Sequence, residues 1–185
     1  MVGQLINSLI NHQGWHLGAC WCPSPNYNAR PAGASISLLV VHNISLPPNQ
    51  FGGDQVESFF CNQLNCDEHP YFDQLRNLKV SAHFFIKRTG ELLQFVSCND
   101  RAWHAGKSVF NGQPDCNDYS IGVELEGADH IQYTDAQYQQ LNQLGADLRN
   151  HYTTLSHCTG HSDIAPGRKS DPGAAFKWER LAWPS

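Results

Sequence analysis

A near-continuous apolar run from Ile36 to Val41, rich in β-branched side chains, constrains the fold of this chain more than any other segment. Such runs are typical of strands buried on both faces, because a strand with one solvent-exposed face alternates apolar and polar residues. His42 and Asn43 follow directly. The segment therefore predicts a central strand that ends in a polar pair, at a place from which side chains can project into a cleft.

Two further segments carry strand patterns. Residues 80–87 and 91–96 are apolar runs separated by Arg88-Thr89-Gly90, which predicts a β-hairpin. In residues 120–126 apolar side chains alternate with Ser, Gly and Glu, which predicts a half-buried strand. Because the side-chain period of a strand is two, Glu124 and Glu126 are expected on the same face.

Helical patterns complete the fold prediction. Thr134 and Gln137 match a capping box, and the apolar spacing that follows predicts a helix to about His151. Shorter helices are predicted within residues 54–63 and 174–181. A length of 185 residues fits one domain. These elements predict an α/β fold of the mixed α+β kind, with a central mixed β-sheet flanked by helices.

Composition narrows the class of protein. The net charge is −5 and the basic residues are scattered, whereas a nucleic-acid-binding protein normally carries a basic face. The seven cysteines form no C-x-x-C pair, and their odd number is more typical of reduced thiols in a cytosol than of a disulfide framework. No Lys or Arg precedes Arg30, unlike in a secretory signal, and no stretch reaches the ~20 apolar residues of a membrane span. We therefore expect a cytoplasmic protein that binds neither nucleic acid nor a membrane.

Candidate metal ligands occur at the end of the central strand and in a later loop. A catalytic zinc site needs three ligands from His, Asp, Glu or Cys and an open position for water. Taken alone, His42 fits a hydrogen-bonded structural histidine better than a ligand. The loop of residues 159–173 presents His161, Lys169 and Asp171 among glycines and prolines. It fits a rigid functional loop and a solvated surface loop about equally well.

Two other features are candidates for chemistry or binding. Glu124 and Glu126 could supply a general base for a metal-activated water, although one or both would face solvent if the strand is amphipathic. Residues 103–106, Trp-His-Ala-Gly, are suited to lining a cleft. The alternative is a tryptophan anchor beside a hydrogen-bonded histidine.

Six motifs occur in one order along the chain. They are LLVVHN (38–43), HPYF (69–72), VSAHFFI (80–86), RAWHAG (101–106), CNDYSIGVELEG (116–127) and GHSDIAPGRKSDPG (160–173). Together they resemble the N-acetylmuramoyl-L-alanine amidases of the zinc-dependent amidase-2 type. The resemblance implies a peptidoglycan-recognition-protein-like domain over residues 14–185, preceded by an N-terminal extension over residues 1–13.

The resemblance also implies roles for individual residues. His42, His161 and Asp171 match the ligands of one zinc ion, Zn²⁺. Glu124 matches the base that takes a proton from the attacking water, and Lys169 matches the cation that stabilises the oxyanion.

Substrate contacts are expected at Asn43, Tyr71, Lys79, Trp103 and His104. His83 lies in a matching motif but is predicted to be a core residue of its strand. The chain departs from the family pattern at Asp115, where relatives often carry an arginine, and this puts recognition of the peptide end of the substrate in doubt.

The implied activity is hydrolysis of the amide bond between 1,6-anhydro-N-acetylmuramic acid and L-alanine, by a monomer that recycles muropeptides in the cytoplasm. Three alternatives stay open: a periplasmic amidase that acts on polymeric peptidoglycan, a non-catalytic peptidoglycan-binding module, and a globular protein without a metal. The binding module is disfavoured because all three ligand positions and both catalytic positions carry matching residues.

Overall fold

A six-stranded mixed sheet organises the chain in the computed structural model, which describes residues 8–183. In spatial order its strands are β1 (Cys20–Trp21), β5 (Leu92–Gln94), β4 (Phe84–Ile86), β9 (Ser120–Glu126), β3 (Leu38–Ile44) and β10 (His157–Gly160). Two small antiparallel pairs accompany it: β2 (Tyr27–Ala29) with β6 (Asp100–Ala102), and β7 (Val109–Phe110) with β8 (Gln113–Pro114). Residues 1–7 of the predicted N-terminal extension lie outside the described residues, and the extension stays a prediction.

Strand direction determines where functional groups can meet. β4, β9, β3 and β10 run parallel to one another, whereas β5 is antiparallel to β4 and parallel to β1. The predicted mixed sheet and the predicted hairpin of β4 and β5 are confirmed. Because β9, β3 and β10 are parallel, their carboxyl ends lie at one edge of the sheet, which is where ligands bind in many open α/β sheets.

The two central strands differ from their predicted form. β3 extends to Ile44, so the polar pair at its end belongs to the strand itself. β9 has the predicted bounds, but it is buried on both faces, because apolar side chains pack on Ile121, Val123 and Leu125 on one face and the ring of His104 lies against Gly122 on the other. The prediction of a half-buried strand is therefore wrong. Glu126 is only 5% exposed and accepts hydrogen bonds from the backbone N–H groups of Gly52 and Arg88.

The helices are α1 (Gln55–Phe60), α2 (Asp135–His151) and α3 (His161–Ile164), with 3₁₀ turns at Pro70–Leu75, Cys116–Asp118 and Trp178–Arg180. The capping box at the start of α2 is confirmed, since Thr134 accepts from the backbone N–H of Gln137 and the Gln137 side chain accepts from that of Thr134. The helix predicted over residues 174–181 is wrong, apart from its short 3₁₀ turn. The backbone N–H of Ala175 donates to the carbonyl of Asp129, a distant partner, and not to a helical neighbour.

Different parts of the chain cover the two faces of the sheet. On one face, Leu141, Leu144 and Leu148 of α2 pack in a cluster with Leu39 and Val41 of β3. The other face is covered by α1, by α3 and by irregular segments. Because side chains alternate along a strand, His42 and Glu124 point away from α2. No helix within residues 8–183 is both long and apolar enough to cross a membrane.

Candidate metal centre and its cleft

Three parallel strands bring three of the predicted site residues to one edge. His42 of β3 lies opposite Glu124 of β9 in the strand register. His161 follows β10 directly, one residue after Gly160 pairs with Val41. Asp171 comes from the loop beyond α3, where its carbonyl accepts a hydrogen bond of 2.9 Å from the backbone N–H of Ser162.

The side chains of His42, His161 and Asp171 converge on one point. The Nδ1 atoms of the two histidines are 2.9 Å apart, and the Oδ2 atom of Asp171 lies 3.1 Å from Nδ1 of His42 and 3.0 Å from Nδ1 of His161. The histidine side chains are 1% and 3% exposed and the aspartate side chain is 14% exposed. Such a set of three close, shielded ligand atoms can hold a metal ion.

Burial controls the charge of these groups. Burial, together with the charges of His161 and Lys169, lowers the pKa of His42 to about 4, although Asp171 opposes the shift. Burial alone would raise the pKa of Asp171, but the neighbouring His161 and His42 side chains outweigh it and hold that pKa below its ordinary value. At neutral pH the centre therefore presents a neutral imidazole at His42 and an ionised carboxylate at Asp171.

Glu124 lies beside this centre without a fixed partner. Its Oε2 atom is buried and has no hydrogen-bond partner among residues 8–183. Burial and the charge of Asp171 raise the pKa of the Glu124 carboxyl well above its ordinary value, while the charge of Lys169 acts in the opposite direction. A carboxylate with a raised pKa is a stronger base, so this side chain can accept a proton from a group in the cleft.

A cleft of about 550 Å³ opens over the centre. Its walls include most of the predicted site residues: Asn43, Tyr71, Trp103, His104, Glu124, His161, Lys169 and Asp171. His42 lies buried below the cleft floor. Lys79 is exposed and lines a smaller, adjoining depression of about 250 Å³, so the structure does not bring it to the centre.

Two of the cleft residues already have internal partners. The amide of Asn43 donates to Oδ1 of Asp129 at 2.7 Å and to the carbonyl of Pro172 at 3.1 Å. The indole N–H of Trp103 donates to Oδ1 of Asn28 at 2.7 Å. Both side chains therefore brace the cleft walls, and contact of either with a substrate stays a prediction.

Sequence reasoning missed other residues of the site. Asp129 and His130 line the cleft just beyond the end of β9. In the sequence, only their position after the strand that carries Glu124 could have indicated that they belong to the site. The carbonyl of Ala105 lies 3.1 Å from Nε2 of His161. No pattern in the sequence indicates this contact.

Two further expectations concern residues outside the cleft. His83 is a core residue, as predicted: it is fully buried, and its Nδ1 atom accepts from the backbone N–H of Gly122. Asp115 is exposed, is absent from the cleft walls and adopts a left-handed backbone with φ of 56°. Aspartate is one of the few residues other than glycine that are enriched in this conformation.

Comparison with known proteins identifies the family. The profile of a family described as N-acetylmuramoyl-L-alanine amidase matches residues 32–174, a span that contains Glu124, Lys169 and the three converging side chains. The chain belongs to the N-acetylmuramoyl-L-alanine amidase family. One amidase relative, the 1,6-anhydro-N-acetylmuramyl-L-alanine amidase AmpD of Escherichia coli (strain K12), is 50% identical over 174 residues, which cover 94% of this chain and 95% of that protein.

Solved structures agree with this assignment. The crystal structure of a selenomethionine AmpD derivative superposes with a TM-score of 0.89 at 49% identity, covering 91% of this chain and 95% of that one. The Drosophila peptidoglycan recognition protein PGRP-SA, at 18% identity, has a TM-score of 0.57 and covers 85% of this chain and 82% of that one. The resemblance to the amidase family and the peptidoglycan-recognition-protein-like fold are thus confirmed.

Proposed function

We propose that this chain hydrolyses the amide bond between 1,6-anhydro-N-acetylmuramic acid and the L-alanine of a stem peptide, and does so in cytoplasmic muropeptide recycling. One observation carries the proposal: two imidazole nitrogens and a carboxylate oxygen converge beside a buried glutamate oxygen that has no partner among the described residues. The relatives with about half of their residues identical bear the name of this amidase activity.

The donor set fits one zinc ion, with His42, His161 and Asp171 as the residues that would hold it. Imidazole and carboxylate ligands suit this borderline metal. Ligand atoms about 2.0–2.1 Å from a tetrahedral zinc lie about 3.3 Å from one another, which is close to the separations of 2.9–3.1 Å in this centre. When bound, the ion would polarise the scissile carbonyl and lower the pKa of a water.

The remaining chemistry falls to two side chains. Glu124 accepts a proton from the attacking water, because burial raises the pKa of its carboxyl and its Oε2 atom is free to accept. Lys169 lines the same cleft and supplies a positive charge where the carbonyl oxygen becomes an oxyanion. The proton held by Glu124 then passes to the leaving amine of L-alanine.

Contacts to the rest of the substrate are proposed at the cleft walls. Tyr71 is 37% exposed there and offers an aromatic face to the sugar or peptide. Trp103 and Asn43 shape the walls from their braced positions. Lys79 lines the neighbouring smaller depression, which shares Leu78 with the cleft, and would contact a substrate that extends from the cleft into that depression.

The test is to incubate zinc-loaded protein with purified anhydro-muropeptide and, separately, with intact sacculi, and to identify the products by mass spectrometry. We expect free anhydro-muramic sugar and free stem peptide from the soluble substrate, with little release from sacculi. Asp171→Ala serves as the control, since it lacks one of the converging ligand atoms. Cleavage of sacculi alone would indicate a wall hydrolase, and binding of either substrate without cleavage would indicate a recognition module.

A further inference from the structure

The loop that carries Asp171 is anchored at the carbonyl of the next residue, Pro172. This carbonyl oxygen accepts a hydrogen bond of 2.7 Å from the hydroxyl of Tyr133 and one of 3.1 Å from the side-chain amide of Asn43. A carbonyl oxygen has two lone pairs, so both are used. Because Pro172 and Tyr133 are buried, water has little access to the bond between them.

The peptide on the other side is anchored as well. The carbonyl of Asp171 itself accepts a hydrogen bond of 2.9 Å from the backbone N–H of Ser162, and Ser162 directly follows His161. The carbonyls of residues 171 and 172 are therefore both held, the first by the segment that carries His161 and the second by Tyr133 and Asn43. The carboxylate of Asp171 extends from a backbone that is fixed at these two points, and they determine where its Oδ2 atom lies.

Close packing fixes the ring of Tyr133. It lies over Gly127, where an added Cβ atom would come within 2.6 Å of the Cε1 atom of the ring, so a larger residue at this position would displace the tyrosine. On its other contacts the ring packs with Tyr138 and Phe176, whose ring centroids are 6.3 and 5.5 Å away. These contacts set the position of the hydroxyl that meets Pro172.

Tyr133 has no direct part in the centre. It is 5% exposed and is not among the residues that line the cleft, so it is not placed to touch a substrate. It is not one of the three converging ligands either. Its hydroxyl can therefore affect the centre only through the backbone of the loop.

We propose that Tyr133 is a positioning residue of the metal centre: its hydroxyl holds the loop of Asp171 in the geometry that binds a cation. This inference rests on the proposed function only in taking that cation to be zinc. When a binding geometry is populated for only part of the time, the apparent dissociation constant rises in inverse proportion to that fraction. Outer partners of metal ligands typically change metal affinity by about 10–100-fold. We expect the lower end, because the hydroxyl meets the backbone next to the ligand and not the carboxylate itself.

The experiment uses Tyr133→Phe, which removes the hydroxyl and keeps the ring. Zinc affinity is measured by competition with a chelator, and exchange of the Ser162 amide proton is measured by NMR in metal-free protein. We expect the dissociation constant of zinc to rise about 10-fold. The Ser162 amide should exchange faster, because its acceptor, the carbonyl of Asp171, belongs to the loosened loop.

Tyr138→Phe is the matched control. Tyr138 belongs to the same apolar cluster as Tyr133, and its hydroxyl accepts from the backbone N–H of Lys177, so it anchors neither residue 171 nor residue 172. Both variants lose one hydroxyl from this cluster, and we expect both to lose some stability. Only Tyr133→Phe should lose zinc affinity.

Unchanged zinc affinity in folded Tyr133→Phe would overturn the proposal. An equal loss in Tyr138→Phe would overturn it too, since the effect would then come from general destabilisation. If Tyr133→Phe does not fold, Asn43→Leu decides, because it removes the other donor to the carbonyl of Pro172 and should raise the dissociation constant of zinc by a similar factor. Unchanged affinity in that variant counts equally against the proposal.

The two readouts separate this inference from the proposed function. Zinc binding without amidase activity would contradict the proposed function and leave the comparison of zinc affinities standing. If the unsubstituted protein binds no zinc, the proposed function fails and the Ser162 amide decides. Faster exchange confined to Tyr133→Phe would then support positioning of the loop by Tyr133, and unchanged exchange would refute it.

Discussion

Replacing Glu124 by glutamine removes a negative charge while keeping the shape of the side chain, and so separates the proposed base from the fold. A positioned general base contributes about 10²–10⁴-fold to a rate, so we expect kcat to fall by that factor, equivalent to about 2.7–5.5 kcal/mol of activation free energy. Stability should not fall. The raised pKa of the Glu124 carboxyl shows that its ionised form is penalised by burial, and a neutral amide avoids this penalty.

Glu126 provides a matched control on the same face of the same strand. It accepts two backbone hydrogen bonds, from Gly52 and Arg88, and is not among the residues that line the cleft over the metal centre. Glu126→Gln leaves one of these donors without its acceptor, which typically costs about 1–3 kcal/mol. We therefore expect lower stability with nearly unchanged kcat.

The assay pairs turnover of anhydro-muropeptide with urea unfolding for both variants, each checked for bound zinc. Full turnover by zinc-loaded Glu124→Gln would refute the assignment of the base. So would a loss of turnover confined to folded Glu126→Gln.

Three further outcomes follow from other parts of the structure. Lys169→Met should lower kcat about 10²–10³-fold without loss of bound zinc. Lys177 lies outside the cleft, so Lys177→Met is the control, and an equal fall in its kcat would argue against an oxyanion role for Lys169. Thr134→Ala should lower the free energy of unfolding by about 1 kcal/mol, because Thr134 caps α2; an unchanged melting temperature would contradict this. Burial lowers the pKa of His83 to about 3 from 6.5, so below pH 6.5 the unfolded chain binds a proton that the folded chain refuses. Stability should therefore fall as the pH falls, by about 1.6 kcal/mol between pH 6.5 and 5.0 for this group. His83→Gln should show a shallower dependence of its free energy of unfolding on pH, measured by urea unfolding at each pH.

Patterns in the sequence correctly predicted the elements whose determining residues lie within one short segment of the chain. The helix after Thr134 followed from a capping box and apolar spacing, both of which lie within one segment. The central strand followed from a run of apolar residues. The helix predicted after Gly173 failed because the N–H of Ala175 bonds to Asp129, a partner 46 residues away that no local pattern reveals.

In the site, too, features set within one segment were predictable and features set by distant contacts were not. From its residue type and position alone, His42 could have been a structural histidine. Only the six ordered motifs indicated that it belongs to one metal site with His161 and Asp171. The burial of Glu126 was not predictable, because it depends on the strands and loops around β9 and not on the alternation within it. Likewise, His104 was predicted only as a wall of the cleft, since its bond to His42 spans 62 positions of sequence.

The central claim is that one zinc ion, held by His42, His161 and Asp171, makes this chain an amidase. The most direct test is to strip the protein with a chelator and titrate zinc back while following release of stem peptide from anhydro-muropeptide by mass spectrometry. We expect no cleavage without zinc, a linear rise of the cleavage rate with added zinc, and saturation of that rate at one equivalent of zinc per chain. Asp171→Ala should be inactive throughout the titration. Full activity in the stripped protein would contradict the account.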